Sequence, residues 1–148
     1  MQSRLVVAGA VVAALLVAAC GSSAQSTASG TKIAVASSAK LGQILVDGAG
    51  KTIYLFVADT GSSSTCYTTC AQIWPPVLTS GPPQAGTGAN ASLLGTTTRT
   101  DGKTEVTYAG HPLYYFVQDK ATGDTTGQGV NGFGGLWWVV SPSGAAVH

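Results

Sequence analysis

Three cysteines, two histidines and a pair of matching aspartates are the residues of this chain whose types and spacing could do chemistry. Cys66 and Cys70 form a C-x-x-x-C pair. Two thiols that close serve either as a disulfide or as soft ligands and redox groups, for which Cu(I) is the matching metal. A copper site there would want a third ligand, and His111 is the candidate; the other histidine, His148, is expected to fray. Asp59 and Asp119 invite comparison with the paired carboxylates of a glycoside hydrolase. They occupy equivalent places in two copies of one short motif, however, and an acid and a base need different surroundings. Gly127-Gln128-Gly129-Val130-Asn131-Gly132 spells G-x-G-x-x-G, but a dinucleotide fingerprint must follow a strand and open a helix, and this stretch leads into the strand-like LWWVV. Neither a G-x-S-x-G elbow nor an H-E-x-x-H pair occurs. A catalytic constellation is therefore not expected, and the chain reads as a non-enzyme.

The elements that must position these groups are strands. Tyr54-Leu55-Phe56-Val57-Ala58-Asp59 returns sixty positions later as Tyr114-Tyr115-Phe116-Val117-Gln118-Asp119, with Gly50 matching Gly110 and Ile53 matching Leu113. Strand alternation puts Tyr54 and Phe56 on one face with Ala58, and Ile53, Leu55 and Val57 on the other. Both faces are apolar, which predicts a central strand covered on both sides, and the second copy predicts the same. Each aspartate falls where strand gives way to a Gly/Ser/Thr loop, a place where a carboxylate accepts backbone N–H bonds and fixes a turn. Asp47-Gly48 and Asp101-Gly102 mark hairpins. Each half runs on to tryptophan, in IWPPV and LWWVV. Of Trp137 and Trp138, adjacent in a strand, one should be core and the other partly exposed; with Tyr67 and Trp74 they could offer a patch for a partner or a sugar face, but satisfied, half-buried aromatics are the expectation. Gly or Pro interrupts nearly every window that could have been a helix. The expected fold is all-β: a single domain of two similar antiparallel units over residues 33–148, repeat 1 at about 41–78 and repeat 2 at about 92–144. Long Gly/Ser/Thr loops follow each aspartate, and a Pro/Gly-rich linker near Ser80 to Gly88 divides the halves.

The first residues, MQSRLVVAGAVVAALLVAAC, place one cation before an apolar run that is too short for a comfortable span of about 20 residues. This is the form of an export signal. Val17-Ala18-Ala19-Cys20 resembles a bacterial lipobox, which implies removal of residues 1–19, lipidation of Cys20 and anchoring on the extracytoplasmic face of the cell membrane, with residues 20–32 as a flexible tether. After position 19, Lys32, Lys40, Lys51, Arg99, Lys103 and Lys120 balance Asp47, Asp59, Asp101, Glu105, Asp119 and Asp124. That neutrality leaves no basic patch for nucleic acid and no Lys/Arg cluster for anionic lipid. Only 9% of the chain is charged, far below the roughly 25% of ordinary soluble domains. Asn90-Ala91-Ser92 matches a glycosylation sequon but carries little weight in a bacterial chain.

Taken together, these residues resemble the bacterial secreted-repeat lipoproteins marked by a Y-x-[FWY]-x-x-D motif. Tyr54, Phe56 and Asp59 form one copy, and Tyr114, Phe116 and Asp119 the other. The Cys66…Cys70…Trp74-Pro75-Pro76 segment, Gly110-His111-Pro112-Leu113 and the Gly123-Asp124…Gly127-Gln128-Gly129 loop are also similar to that family, although Tyr67-Thr68-Thr69 stands where a glycine is usual. The resemblance implies an address and an architecture rather than a reaction. Export favours a disulfide between Cys66 and Cys70 and no cofactor. The alternative keeps both thiols free, with His111, for copper or electrons, since C-x-x-x-C also looks like the copper pair of Sco-type chaperones. The expected role is a noncatalytic binding or structural module, its partner beyond the membrane unspecified.

Overall fold

A computed structural model describes residues 29–148. The export signal, Cys20 and most of the tether lie outside the described residues. Local sequence explains the two regular hairpins. Strands β1 (Lys32–Ser38) and β2 (Gly42–Asp47) run antiparallel, with Val35 opposite Leu45. Strands β5 (Leu94–Thr98) and β6 (Thr104–Tyr108) are joined through Asp101-Gly102, where Gly102 takes φ +79° and the Asp101 carboxylate accepts the Lys103 N–H at 3.1 Å. Asp47 likewise closes a turn, accepting the Ala49 and Lys51 N–H groups at 2.9 Å.

Around these hairpins lie β3 (Tyr54–Phe56), β4 (Gln84–Ala85), β7 (His111–Pro112), β8 (Asn131–Gly132) and β9 (Gly135–Val139). The strands form three small sheets, ordered β2-β1-β4, β3-β9-β8 and β5-β6-β7. Among the described residues, a single short helix, α1 (Thr69–Ile73), and one 3-10 turn (Ala91–Leu93) interrupt an otherwise all-β domain.

Strand alternation sorts the core into two layers. Tyr54 and Phe56 enter a cluster with Trp74, Tyr114, Phe116 and Trp137. Ile53 and Leu55 enter another with Leu45, Val77, Val106 and Leu113. The expectation of a strand covered on both sides holds through Phe56 and fails at Val57, which is 56% exposed because β3 has already ended. The second copy is not a regular strand: Tyr114 makes only isolated bridges, to Tyr54 and Pro76, and the chain turns at Val117. The 80–88 segment is not a bare linker either. Within it β4 pairs parallel to β1, and the Gly86 N–H donates to the Ile33 carbonyl at 2.6 Å, which pins the connection to the first hairpin.

Candidate functional site

The two motifs meet at their tyrosines. The Tyr54 N–H donates to the Tyr114 carbonyl at 2.9 Å, and the Tyr114 N–H returns the bond to the Tyr54 carbonyl at 3.0 Å. From that crossing each tyrosine reaches the acid of the other repeat. The Tyr54 hydroxyl donates to Asp119 Oδ2, and the Tyr114 hydroxyl to Asp59 Oδ2, both at 2.7 Å. Each acid also clamps its own loop as the motif implied. Asp59 Oδ1 accepts the N–H and hydroxyl of Thr65, both at 2.8 Å, and Asp119 Oδ1 accepts those of Thr126 at 2.9 and 2.6 Å. Burial, then the bond to Asp119 and its charge, push the Tyr54 phenol far above its ordinary range. For Tyr114 burial comes first, then the charge of Glu105 and the bond to Asp59. Both phenols stay neutral donors to carboxylates. Tyr54→Phe is expected to cost about 1.5–3 kcal/mol, the range for a hydrogen bond to a charged group. A double-mutant cycle with Asp119→Asn, read by urea denaturation, should give a coupling of that order; additive effects would refute the exchange as a stabilising unit.

The motif aromatics interlock in the same way. Phe56 stacks on Trp137 at 4.0 Å, Trp137 on Trp74 at 4.0 Å, and Trp74 on Phe116 at 4.1 Å. First and second repeat alternate along this four-ring column. Tyr54 meets the edge of Trp74 at 5.3 Å and Tyr114 that of Trp137 at 5.1 Å, the T-shaped geometry that the ring quadrupole favours. Gly127 owes its place to this packing: a Cβ there would lie 2.7 Å from Trp74 and 2.9 Å from Tyr54. The first glycine of the G-x-G-x-x-G spelling thus serves close approach to rings, and the stretch runs into β8 and β9.

Cys66 and Cys70 are joined in a disulfide with Cα atoms 5.2 Å apart. Chain-entropy reasoning for so short a loop gives about 2 kcal/mol of stabilisation. Thr68, inside that loop, holds φ +50°, the left-handed region where glycine is at ease, so the loop carries a strained threonine. The disulfide loop is gripped by a buried charge pair, Arg99 and Glu105, that no motif in the sequence marks. The Arg99 guanidinium donates to Glu105 Oε2 at 2.7 Å, to the Cys66 carbonyl at 2.7 Å and to Ser64 Oγ at 2.9 Å, and lies 4.4 Å from the Tyr67 ring. Both side chains are fully buried. Burial pushes the Glu105 carboxyl up to about 7 against the pull of Arg99. Burial draws Arg99 down, but Glu105 and Asp101 outweigh it and hold the guanidinium above its usual value.

Among the residues singled out from sequence, Tyr54, Phe56, Asp59, Tyr114, Phe116 and Asp119 are brought together with Trp74, Trp137 and the disulfide. His111 is not part of that group: it begins β7, is exposed and lines a groove with Trp138 and His148. The alternative copper set of Cys66, Cys70 and His111 is not assembled, and among the described residues no three His, Cys, Asp or Glu side chains are placed to hold a metal ion. Trp137 is buried and Trp138 half-buried, as their alternation required. His148 does not fray: its ring packs against Trp138 at 4.6 Å, and the neighbouring Val147 N–H donates to the Val139 carbonyl. Trp74 and Trp137 are buried and offer no surface patch.

Fold and motif define a duplicated all-β unit whose halves complete each other. A family model described as a secreted repeat of unknown function matches residues 35–78 and 95–141, one stretch per half. These stretches cover more than half of the chain, which belongs to that family of secreted, extracytoplasmic proteins. No curated protein and no solved structure matches the chain. Among the described residues, no helix is long and apolar enough to cross a membrane.

Proposed function

We propose that this chain is a noncatalytic lipoprotein of the bacterial envelope, anchored through lipidated Cys20 on the extracytoplasmic face of the membrane, where it acts as a binding or structural module. The observation that carries the noncatalytic reading is the internal use of the motif acids. Asp59 and Asp119 hold a loop with one oxygen and the opposite repeat's tyrosine with the other, so both have the duties of a scaffold. The anchor rests on the lipobox-like Val17-Ala18-Ala19-Cys20 at the boundary between apolar run and polar tether. Stable anchoring takes more than one acyl chain, which a modified cysteine of that type carries. Copper or thiol chemistry at Cys66 and Cys70 would first require two-electron reduction of a buried disulfide.

Cys20→Ala is expected to move the protein from the membrane fraction to the soluble one when expressed in a bacterium with lipoprotein processing. Retention of a processed Cys20→Ala product in the membrane would sink the anchor.

A further inference from the structure

Because the two repeats share a core plan, the positions where they differ isolate what the plan does not require. Leu55 follows Tyr54 in the first copy, whereas Tyr115 follows Tyr114 in the second. Tyr115 fills its side of the fold: its hydroxyl donates to Asp47 at 3.0 Å, and Lys51 sits 5.1 Å over its ring. Over the shorter Leu55 the fold leaves an open groove of about 320 Å³, lined by Leu55, Val57, Asp59, His111, Trp138 and His148. Two of these are themselves differences between the copies. His111 stands where the first repeat has Lys51, and Trp138, paired with Leu55 across β3 and β9, stands where the first has Pro75, whose carbonyl accepts the Tyr115 N–H. The motif acids diverge as well: Asp119 is buried, while Asp59 is partly exposed and walls the groove.

We propose that this groove binds one ring of a neutral saccharide, its apolar face laid on the Trp138 indole. The proposal deepens the binding-module reading and is independent of the anchor. The floor joins Leu55 to the half-buried Trp138 indole, against which the His148 ring packs edge-to-face at 4.6 Å; the walls add the two imidazoles and a carboxylate, which together donate and accept hydrogen bonds. A sugar ring has the same division, with C–H groups on one face and hydroxyls around the rim. No lysine or arginine lines the groove, so an anionic ligand would find no fixed positive side chain there. Its size lies at the small end of ligand pockets, about 300–1,000 Å³, suited to one ring rather than a long chain. Asp59 orients within the groove while its oxygens still hold Thr65 and Tyr114.

The test uses the full chain reconstituted in phosphatidylcholine vesicles, with chitotriose and maltotriose as neutral probes and saturation-transfer NMR from protein to sugar as the readout. Transfer to at least one probe is expected, weakened about tenfold or more, equivalent to at least 1.4 kcal/mol, in Trp138→Ala and in Leu55→Tyr. The second variant introduces the residue that fills the other half. Near-ultraviolet circular dichroism checks that each variant is folded, and Trp138→Ala, altering a half-buried side chain, keeps the test decisive if Leu55→Tyr misfolds. No transfer to either probe at millimolar concentration, or transfer unchanged in a folded variant, would overturn the proposal. Flotation of the vesicles reports the anchor separately, and failure there leaves the sugar measurement to be made on the unbound protein.

Discussion

Trp74→Ala is expected to lower folding stability by about 3–5 kcal/mol, the upper range for truncating a buried side chain. Trp74 is 1% exposed and is an inner ring of the column, stacked on both Trp137 and Phe116, with Tyr54 against its edge. Alanine would leave an indole-sized void that cannot be filled without breaking the stack, because Trp137 is held by its Nε1–H bond to the Gly132 carbonyl and Tyr54 by its hydroxyl bond to Asp119. Single domains are stable by about 5–15 kcal/mol, so the loss could consume much of the total. The measurement is the urea midpoint followed by near-ultraviolet circular dichroism, with the slope unchanged. Trp138→Ala is the control, since Trp138 is only half-buried and outside the column; equal losses at the two tryptophans would show that the stack has no special role. Trp74 and Trp137 belong to different repeats, so their alanine variants should also be strongly non-additive.

Arg99→Ala should cost a comparable amount, about 3–5 kcal/mol, because it removes one partner of a buried ion pair and leaves the other uncompensated. Glu105 Oε1 already has no hydrogen-bond partner, so the carboxylate depends on Arg99 through Oε2. Three further contacts go with the guanidinium: the Cys66 carbonyl, Ser64 and the Tyr67 ring. The pair also has a pH signature. The Glu105 carboxyl is raised from 4.5 to about 7, so between those values the native protein holds a proton that the unfolded chain has released. Native proton uptake of this sign means that stability from this group falls as pH rises from about 4.5 to about 7. The groups facing it are Arg99, Asp101, Asp59 and Tyr114. Glu105→Gln should flatten that part of the profile. Arg99→Ala should steepen it and extend it upward, since the cation that lowers the carboxyl is gone. A wild-type profile that rises over the window would contradict this assignment.

The hexamer shows what could be read from the chain and what could not. Alternation correctly sent Tyr54 and Phe56 to one layer and Leu55 to another, because side-chain direction in a strand is local. The turn role of Asp59 and Asp119 was legible for the same reason: a carboxylate accepts N–H groups a few residues away. Which acid each tyrosine would meet was not legible, since the bond from Tyr54 to Asp119 spans 65 residues and depends on how the halves dock. Val57 looked like core by composition, but strand length is set by neighbours and the ladder stops one residue earlier. Arg99 and Glu105 flank an Asp-Gly turn and entered the sequence reading only as part of the charge balance; only the tertiary fold buries them. The groove beside Leu55 had one trace in the sequence, the mismatch of Leu55 with Tyr115 inside two otherwise similar motifs.

The crossing of tyrosines and acids also constrains how such a chain can change. Two copies of a gene segment would ordinarily drift apart, each accumulating replacements that suit itself. Here a replacement at Tyr54 is felt at Asp119 and one at Tyr114 at Asp59, so each copy is the selective environment of the other. Correlated variation among descendants should therefore run crosswise, linking 54 with 119 and 59 with 114. Positions such as 55 and 115, outside that exchange, are the ones left free to diverge into new roles.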